Sequence, residues 1–256
     1  MTATTIALVT GANKGIGREI AAQLAALGHT VVIAARSAAA GEAAAAELRA
    51  TGADASSVVL DVTDPASAAA AAATVEDRYG RLDVLVNNAG MAAPPGSTLA
   101  HQRPSTADLD VLRRIFETNV FGVVTVTNAL LPLLRRSSAA RIVNVSSSGS
   151  SLTAQTDPAV GAVVYAGLSF DELPVVAGYM PSKAALNALT IAYAKDLRPE
   201  GVLVNAVDPG FVATDLNGHR GHRTVAQGAV AAVRMATVGA DGPTGTFTDD
   251  QGPVPW

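Results

Sequence analysis

The sequence predicts an α/β protein: a doubly wound parallel sheet of about seven strands, flanked by helices on both faces. Three observations carry that prediction. Short β-branched runs alternate with Ala-rich helical stretches along the 256 residues. A glycine-rich turn joins the first such run to the first helix. The polar residues suited to chemistry recur at the ends of predicted strands, the edge at which open parallel sheets bind their ligands.

The first strand is 6–9, an apolar Ile6-Ala7-Leu8-Val9 run of the kind a buried parallel strand requires. It runs into Thr10-Gly11-Ala12-Asn13-Lys14-Gly15-Ile16-Gly17 and then a helix over 15–27, with Ile20, Leu24 and Leu27 on one face and a stop near Gly28. The second strand, 30–34, leads to Ala35-Arg36-Ser37. Further strands are expected at 57–60, 82–86, 141–146, 202–207 and 245–248. Further helices are expected at 38–50, 65–79, 106–134, 179–197 and 224–236. Such alternation implies right-handed crossovers. No internal repeat or linker interrupts it, so 1–256 reads as a single domain, a length one α/β domain can reach.

Composition narrows the function classes. A net charge of −4 and a pI near 5.5 give no electrostatic case for nucleic acid or an anionic membrane as partner. The Ala-rich runs at 38–46 and 66–73 carry polar breaks and are too short to cross a bilayer. The N-terminus lacks a basic stretch followed by an apolar core, so no signal peptide is expected. Zero cysteine is compatible with a reducing cytoplasm, the expected location. His29, His101, His219 and His222 are scattered, and no metal site is expected.

The turn after the first strand has the spacing TGxxxGxG. Glycines there let the backbone approach phosphate oxygens, and the free N–H groups of the following helix bind them. The plain alternative is an ordinary strand-to-helix connection. An NAD site usually places Asp or Glu at the end of the second strand; this chain has Arg36. A guanidinium there suits a 2′-phosphate, and Lys14 adds a second cation. Both argue for NADP(H) over NAD, the alternative for Arg36 being a solvated surface charge.

Of the four tyrosines, only Tyr179 has a lysine four residues downstream, Lys183. On a helix the two share a face. The chain has just three lysines (Lys14, Lys183, Lys195) against fifteen arginines, which makes this pairing stand out. A phenol beside an ammonium is a general acid for chemistry at a carbonyl. A free tyrosine titrates near ~10, and lowering that by two or three units takes ~3–4 kcal/mol. One ammonium at ~4 Å in an effective dielectric of about 20 supplies ~4 kcal/mol. Lys183 is therefore expected to depress the Tyr179 pKa.

Taken in order, these motifs resemble the short-chain dehydrogenase/reductases in their single-domain, Rossmann-type form. The resemblance rests on the 10–17 loop, Asp61-Val62, Asn87-Asn88-Ala89-Gly90, Asn119, Asn144-Val145-Ser146-Ser147, Tyr179-Met180-Pro181-Ser182-Lys183, and Pro209-Gly210 with Thr214. It implies Tyr179 as acid/base, Lys183 as holder of the nicotinamide ribose, Ser147 on the substrate oxygen, and Asn119 positioning a water in a proton relay. Among Ser146, Ser147 and Ser148, the second serine fits the family pattern best. The resemblance further implies a cofactor site of Gly11, Asn13, Lys14, Gly15, Ile16, Gly17, Arg36, Asp61, Val62, Asn88, Ala89, Gly90, Tyr179, Lys183, Pro209, Gly210, Val212 and Thr214. Asp61 would read the adenine amino group, and Asn87 with the Ala89-Gly90 backbone would border the adenosine.

The chain departs from the family's common form between Ser147 and Tyr179. Residues 149–177 form an insertion, either a surface excursion or an added helix beside the catalytic one. The Asn13–Gly17 stretch, Ala35-Arg36 and this insertion look most like the carbonyl-reductase branch, where such an insertion covers the usual dimer face; a monomer is then expected, with a homo-oligomer as the alternative. The implied activity is NADPH-dependent reduction of a ketone or aldehyde, a small-molecule carbonyl substrate. The alternatives are NAD(P)-dependent oxidation of a hydroxylated metabolite and a non-catalytic NADP-sensing protein. Trp256, the only tryptophan, is expected to anchor the terminus.

Overall fold

A parallel strand covered on both faces must be apolar on both, and the central strands meet that demand. Every residue of β1 (Ile6–Thr10), β2 (Thr30–Ala35), β4 (Val84–Asn87), β5 (Arg141–Val145) and β6 (Leu203–Val207) is buried. With β3 (Ala55–Val59) and β7 (Phe247–Thr248) they form one seven-stranded sheet of order β3-β2-β1-β4-β5-β6-β7, parallel throughout. The computed structural model describes residues 4–165 and 174–256. The order reverses between β3-β2-β1 and β4-β5-β6-β7, so the crevice beyond the carboxyl ends of β1 and β4 is the place a ligand enters such a sheet.

Alternation along each strand divides the core into two layers. Leu8, Val32, Val58 and Ile142 face α3 (Pro65–Tyr79), α5 (Gly122–Leu134) and α8 (Tyr179–Leu197), packing on Val75, Leu130, Leu134 and Leu197. Val9, Val31, Ile33 and Val143 face α1 (Gly15–Ala26), α2 (Ala38–Ala50) and α9 (Val225–Ala236), packing on Ile20, Leu24, Leu48 and Met235. Side-chain caps fix several helix starts: Ser37 accepts from the Ala40 N–H, and Asp64 from Ala66 with Pro65 following it.

The expected helix over 106–134 is divided. It begins as α4 (Leu109–Phe116), capped by Asp108, passes through a π-turn at Glu117–Phe121 and continues as α5. The cause is Asn119, whose buried amide pairs with both backbone groups of Met91, an anchorage that favours an extra residue in the turn. The last strand is shorter than 245–248, because Gly245 adopts φ +72° and only Phe247–Thr248 reach the ladder with β6. The insertion supplies two short helices, α6 (Leu152–Thr156) and α7 (Pro158–Val164), in place of one; its residues 166–173 lie outside the described residues. Val164 packs on Ala206, Phe247 and Val254, which joins the insertion to the C-terminal segment. Trp256 anchors that segment by stacking on Phe247 at 5.6 Å between ring centroids.

Candidate active site

The carboxyl ends of the strands open on a cleft of about 910 Å³. Of the residues expected to form the site, all but Asn87 and Asn119 line it, among them Gly11, Asn13, Lys14, Gly15, Ile16 and Gly17 of the glycine turn and Pro209, Gly210, Val212 and Thr214 after β6.

The glycine turn is built for close approach. Gly11 and Gly15 sit at φ +63° and +59°, conformations that a side chain disfavours. A Cβ on Gly17 would overlap the Asn88 amide and lie 2.8 Å from the Gly11 carbonyl. Asn88 is the reason for that proximity: its Nδ2 donates to the Thr10 carbonyl at 2.8 Å, while Thr10 Oγ1 accepts from the Asn88 and Ala89 N–H groups at 3.0 Å each. Lys14 occupies the cap position of α1 and provides no side-chain bond to it, and the first turn carries no acid. The α1 N-terminus therefore presents unsatisfied donors to the cleft.

The corner at the end of β2 is cationic. Arg36 is exposed, lines the cleft and makes no ion pair among the described residues. Asp61 faces it; burial raises the Asp61 carboxyl, but hydrogen bonds from Thr63 and the Arg36 charge outweigh that and hold it below the usual range. Lys14 is placed differently from expectation. Its ammonium pairs with Asp215 at 2.6 Å, a contact from the glycine turn to the segment after β6, and both groups are solvent-exposed.

The end of the cleft that holds Tyr179 is organised by the start of α8. Tyr179 is its first residue, and Lys183 lies one turn on with its Nζ 5.9 Å from the phenol ring centroid. Lys183 is buried and donates to the Val145 carbonyl at 2.7 Å. Ser147 lines the cleft with Tyr179, and its hydroxyl opposes the burial that raises the phenol. The preceding serine is occupied elsewhere: Ser146 Oγ donates to Asn187 Oδ1 at 2.6 Å. Ser147 is thus the hydroxyl directed at the phenol.

The electrostatics differ from the expectation that Lys183 depresses Tyr179. Burial, with the Asp208 charge adding and the Ser147 bond opposing, pushes Tyr179 up to about 12. Burial also pulls Lys183 down to about 8. Desolvation wins because both groups are withdrawn from water while the ammonium is committed to Val145. The protein alone keeps the phenol in its proton-donating form.

Asn119 is fully buried behind the cleft. Its Oδ1 accepts from Met91 N at 2.8 Å, and its Nδ2 donates to the Met91 carbonyl and Ser182 Oγ. A Cβ on Gly90 would lie 3.4 Å from Lys183 Nζ and 3.5 Å from Asn119 Oδ1, so that glycine leaves room between the two. Asn87 does not border the cleft. It ties β4 to β5 and α5, donating to Asn144 Oδ1 at 2.9 Å and Thr127 Oγ1 at 3.1 Å.

Two residues were not singled out from the sequence. Buried Gln102 accepts from the Tyr179 N–H at 3.0 Å and donates to the Ala92 carbonyl at 2.7 Å. It ends a short 3-10 turn, Leu99–Gln102, and no periodicity marks it. Asp208, at the end of β6, is buried beside the serine turn; an acid directly before Pro209-Gly210 was the available signal.

Comparison with known proteins places this geometry among enzymes. A family model described as short chain dehydrogenase matches residues 5–224. A short-chain dehydrogenase from Penicillium roqueforti (strain FM164) is 37% identical, covering 92% of this chain and 89% of that protein. Salutaridine reductase from Papaver bracteatum is 35% identical, covering 95% and 93%. Among solved structures, salutaridine reductase from Papaver somniferum superposes with a TM-score of 0.77 at 32% identity, covering 96% of this chain and 99% of that one. A gluconate 5-dehydrogenase from Burkholderia cenocepacia J2315, in complex with NADP and tartrate, gives 0.77 at 26% identity, covering 95% and 92%.

Proposed function

This chain belongs to the short-chain dehydrogenase/reductase family of oxidoreductases, and from that premise we propose that it reduces a ketone or aldehyde with NADPH, using Tyr179 as the proton donor. The observation that carries the reading is the convergence of Ser147, Tyr179 and Lys183 in one cleft with the glycine turn of residues 11–17. The turn fits a dinucleotide: Gly11, Gly15 and Gly17 let its backbone close against Ala89, Asn88 and Thr214, and the uncapped N-terminus of α1 supplies donors for a pyrophosphate. Arg36 fits a 2′-phosphate, and Asp61 and Val62 flank the adenine position. The gluconate 5-dehydrogenase that shares the fold was solved with NADP, which supports the same choice.

When bound, the reduced nicotinamide supplies a hydride to the carbonyl carbon. Ser147 donates a hydrogen bond to the carbonyl oxygen and fixes its position against the phenol. Tyr179 passes its proton to that oxygen as negative charge develops. Lys183, an ammonium at neutral pH, would hold the ribose of that cofactor and stabilise the phenolate left behind. Asn119 holds the Met91 backbone beside Gly90, shaping the wall along which a proton returns to Lys183. Relatives named as reductases support this direction, beside others named as dehydrogenases. We place the reaction in the cytoplasm and the enzyme as a monomer, the latter because of the insertion.

The test is cofactor consumption by purified protein against aldehydes, ketoesters and aryl ketones, with NADPH and NADH side by side and Tyr179→Phe as control. Turnover that requires NADPH and Tyr179 supports the reading. Turnover that survives in Tyr179→Phe overturns it.

A further inference from the structure

Large apolar side chains left in water are unfavourable, and three of them meet at one cleft. Leu99, Phe211 and Leu216 are 42%, 49% and 47% exposed, and all three line the cavity that holds Tyr179. Pro174 and Val176, which lead into α8, and Met180 in its first turn line the same cavity. Three separate segments therefore present apolar surface to one opening: the stretch after β4, the entry to α8 and the segment after β6. No cofactor or proton step above uses these side chains. The apolar wall reaches the reacting groups. A Cβ on Gly149 would overlap Met180 Sδ and lie 3.5 Å from Ser147 Oγ, so the thioether and the serine hydroxyl flank one bare glycine.

The exposed side chains after β6 are carried on braced backbone. The Arg223 N–H donates to the Phe211 carbonyl at 3.1 Å and the Ala213 N–H to the Arg223 carbonyl at 2.9 Å. The Phe211 ring lies 6.0 Å from that of His222. Leu216 sits in the turn Asp215–Asn217, which Asn217 Nδ2 ties to the Val212 carbonyl at 2.8 Å. The charges of this segment are engaged locally. Asp215 pairs with Lys14 at 2.6 Å and with His219 Nε2 at 2.8 Å, and Arg220 Nε donates to the Asn217 carbonyl at 2.9 Å. An apolar wall fixed before the substrate arrives favours a ligand that covers it. We propose that the cleft takes a bulky, neutral, apolar ketone of more than one ring, with Leu99, Met180, Phe211 and Leu216 against its hydrocarbon body and its carbonyl at Ser147 and Tyr179. A single small ring would leave most of a wall built from three segments wet. The inference rests on the carbonyl-reductase reading and names the substrate class for it. Keto acids and sugars are disfavoured, since neither offers the apolar area that would cover these side chains.

A binding measurement tests this without turnover. The probe is prodan, a neutral naphthyl ketone whose emission shifts to the blue when it leaves water. It is titrated into protein saturated with NADP+, which has no hydride to give. Saturable binding with a blue shift is expected, displaced by a decalone and left in place by an equal concentration of an oxocyclohexanecarboxylate. Leu216→Ser and Leu99→Ser, on separate segments, should each weaken binding about fivefold, as expected when roughly half an apolar side chain is no longer covered. Both residues are exposed, so the fold should survive either change. Absence of saturable binding, or full affinity in both variants, overturns the proposal. Displacement by the carboxylate also overturns it, and would make Arg220 the holder of an anionic substrate. Kinetics separates this from the reading beneath it. Prodan binding as described, with no Tyr179-dependent NADPH oxidation on any ketone, removes the reductase reading and leaves the apolar site. A higher kcat/KM for the oxocyclohexanecarboxylate than for the decalone removes the substrate class and leaves the reductase.

Discussion

Gln102 holds the first amide of the helix that begins with Tyr179, its Oε1 accepting the Tyr179 N–H at 3.0 Å. Its Nε2 donates to the Ala92 carbonyl at 2.7 Å, so one buried side chain joins the cleft wall after β4 to the start of α8. Gly178 makes this possible: a Cβ there would lie 2.6 Å from Gln102 Oε1 and 2.7 Å from Ile115 Cδ1.

Gln102→Ala leaves that amide and the Ala92 carbonyl without their partner, a loss of about 1–3 kcal/mol at a buried site. Its effect falls on the position of the phenol. The expected result is a kcat reduced roughly tenfold with the dissociation constant for NADPH unchanged, read by steady-state kinetics and fluorescence titration.

Arg36→Ala tests the cofactor assignment. A charge-assisted hydrogen bond is worth about 1.5–3 kcal/mol, so NADPH affinity should fall roughly 10- to 100-fold. NADH affinity should stay within about twofold, since NADH lacks the 2′-phosphate. Lys14→Ala should act more weakly, because Lys14 is already paired with Asp215.

Gly17→Ala places a methyl against the Asn88 amide and the Gly11 carbonyl, which are held by Thr10. Overpacking of this kind costs about 1–3 kcal/mol. A lower thermal midpoint and weakened cofactor binding are expected together.

The sign of the Lys183 shift gives a stability prediction. Burial holds Lys183 near about 8 in the folded protein, below its ordinary value of 10.5. Between those values the unfolded chain binds more protons than the folded one, so stability rises with pH across that window. Below about pH 8 the cost of burying the ammonium is fully present. Lys183→Met removes this dependence. The difference in unfolding free energy, parent minus variant, should climb by up to about 1.4 kcal/mol per pH unit between pH 8 and 10 in urea melts.

Much of this architecture was legible in the sequence because it depends on local rules. Apolar β-branched runs, a glycine turn and a Tyr–Lys pair at helical spacing report directly on buried strands, a backbone-lined cradle and one helix face. What stayed hidden depends on contacts between segments distant in the chain. The π-turn at Glu117–Phe121 arises from Asn119 meeting Met91, and neither residue reveals the other. Asn87 and Asn88 are adjacent and chemically identical, yet one braces the core and the other the glycine turn, a division set by which face of β4 each leaves. The Tyr179 phenol was misjudged for a related reason: proximity of a lysine can be read from spacing, but desolvation of both groups cannot.

The most direct measurement is a single-turnover experiment in which NADPH-loaded protein is mixed with a carbonyl substrate that the parent reduces, comparing parent and Tyr179→Phe. The account predicts that both proteins bind NADPH with similar affinity and that the variant loses hydride transfer by at least about a hundredfold. Equal rates of NADPH oxidation in the two proteins would contradict it, and would remove Tyr179 from the chemistry.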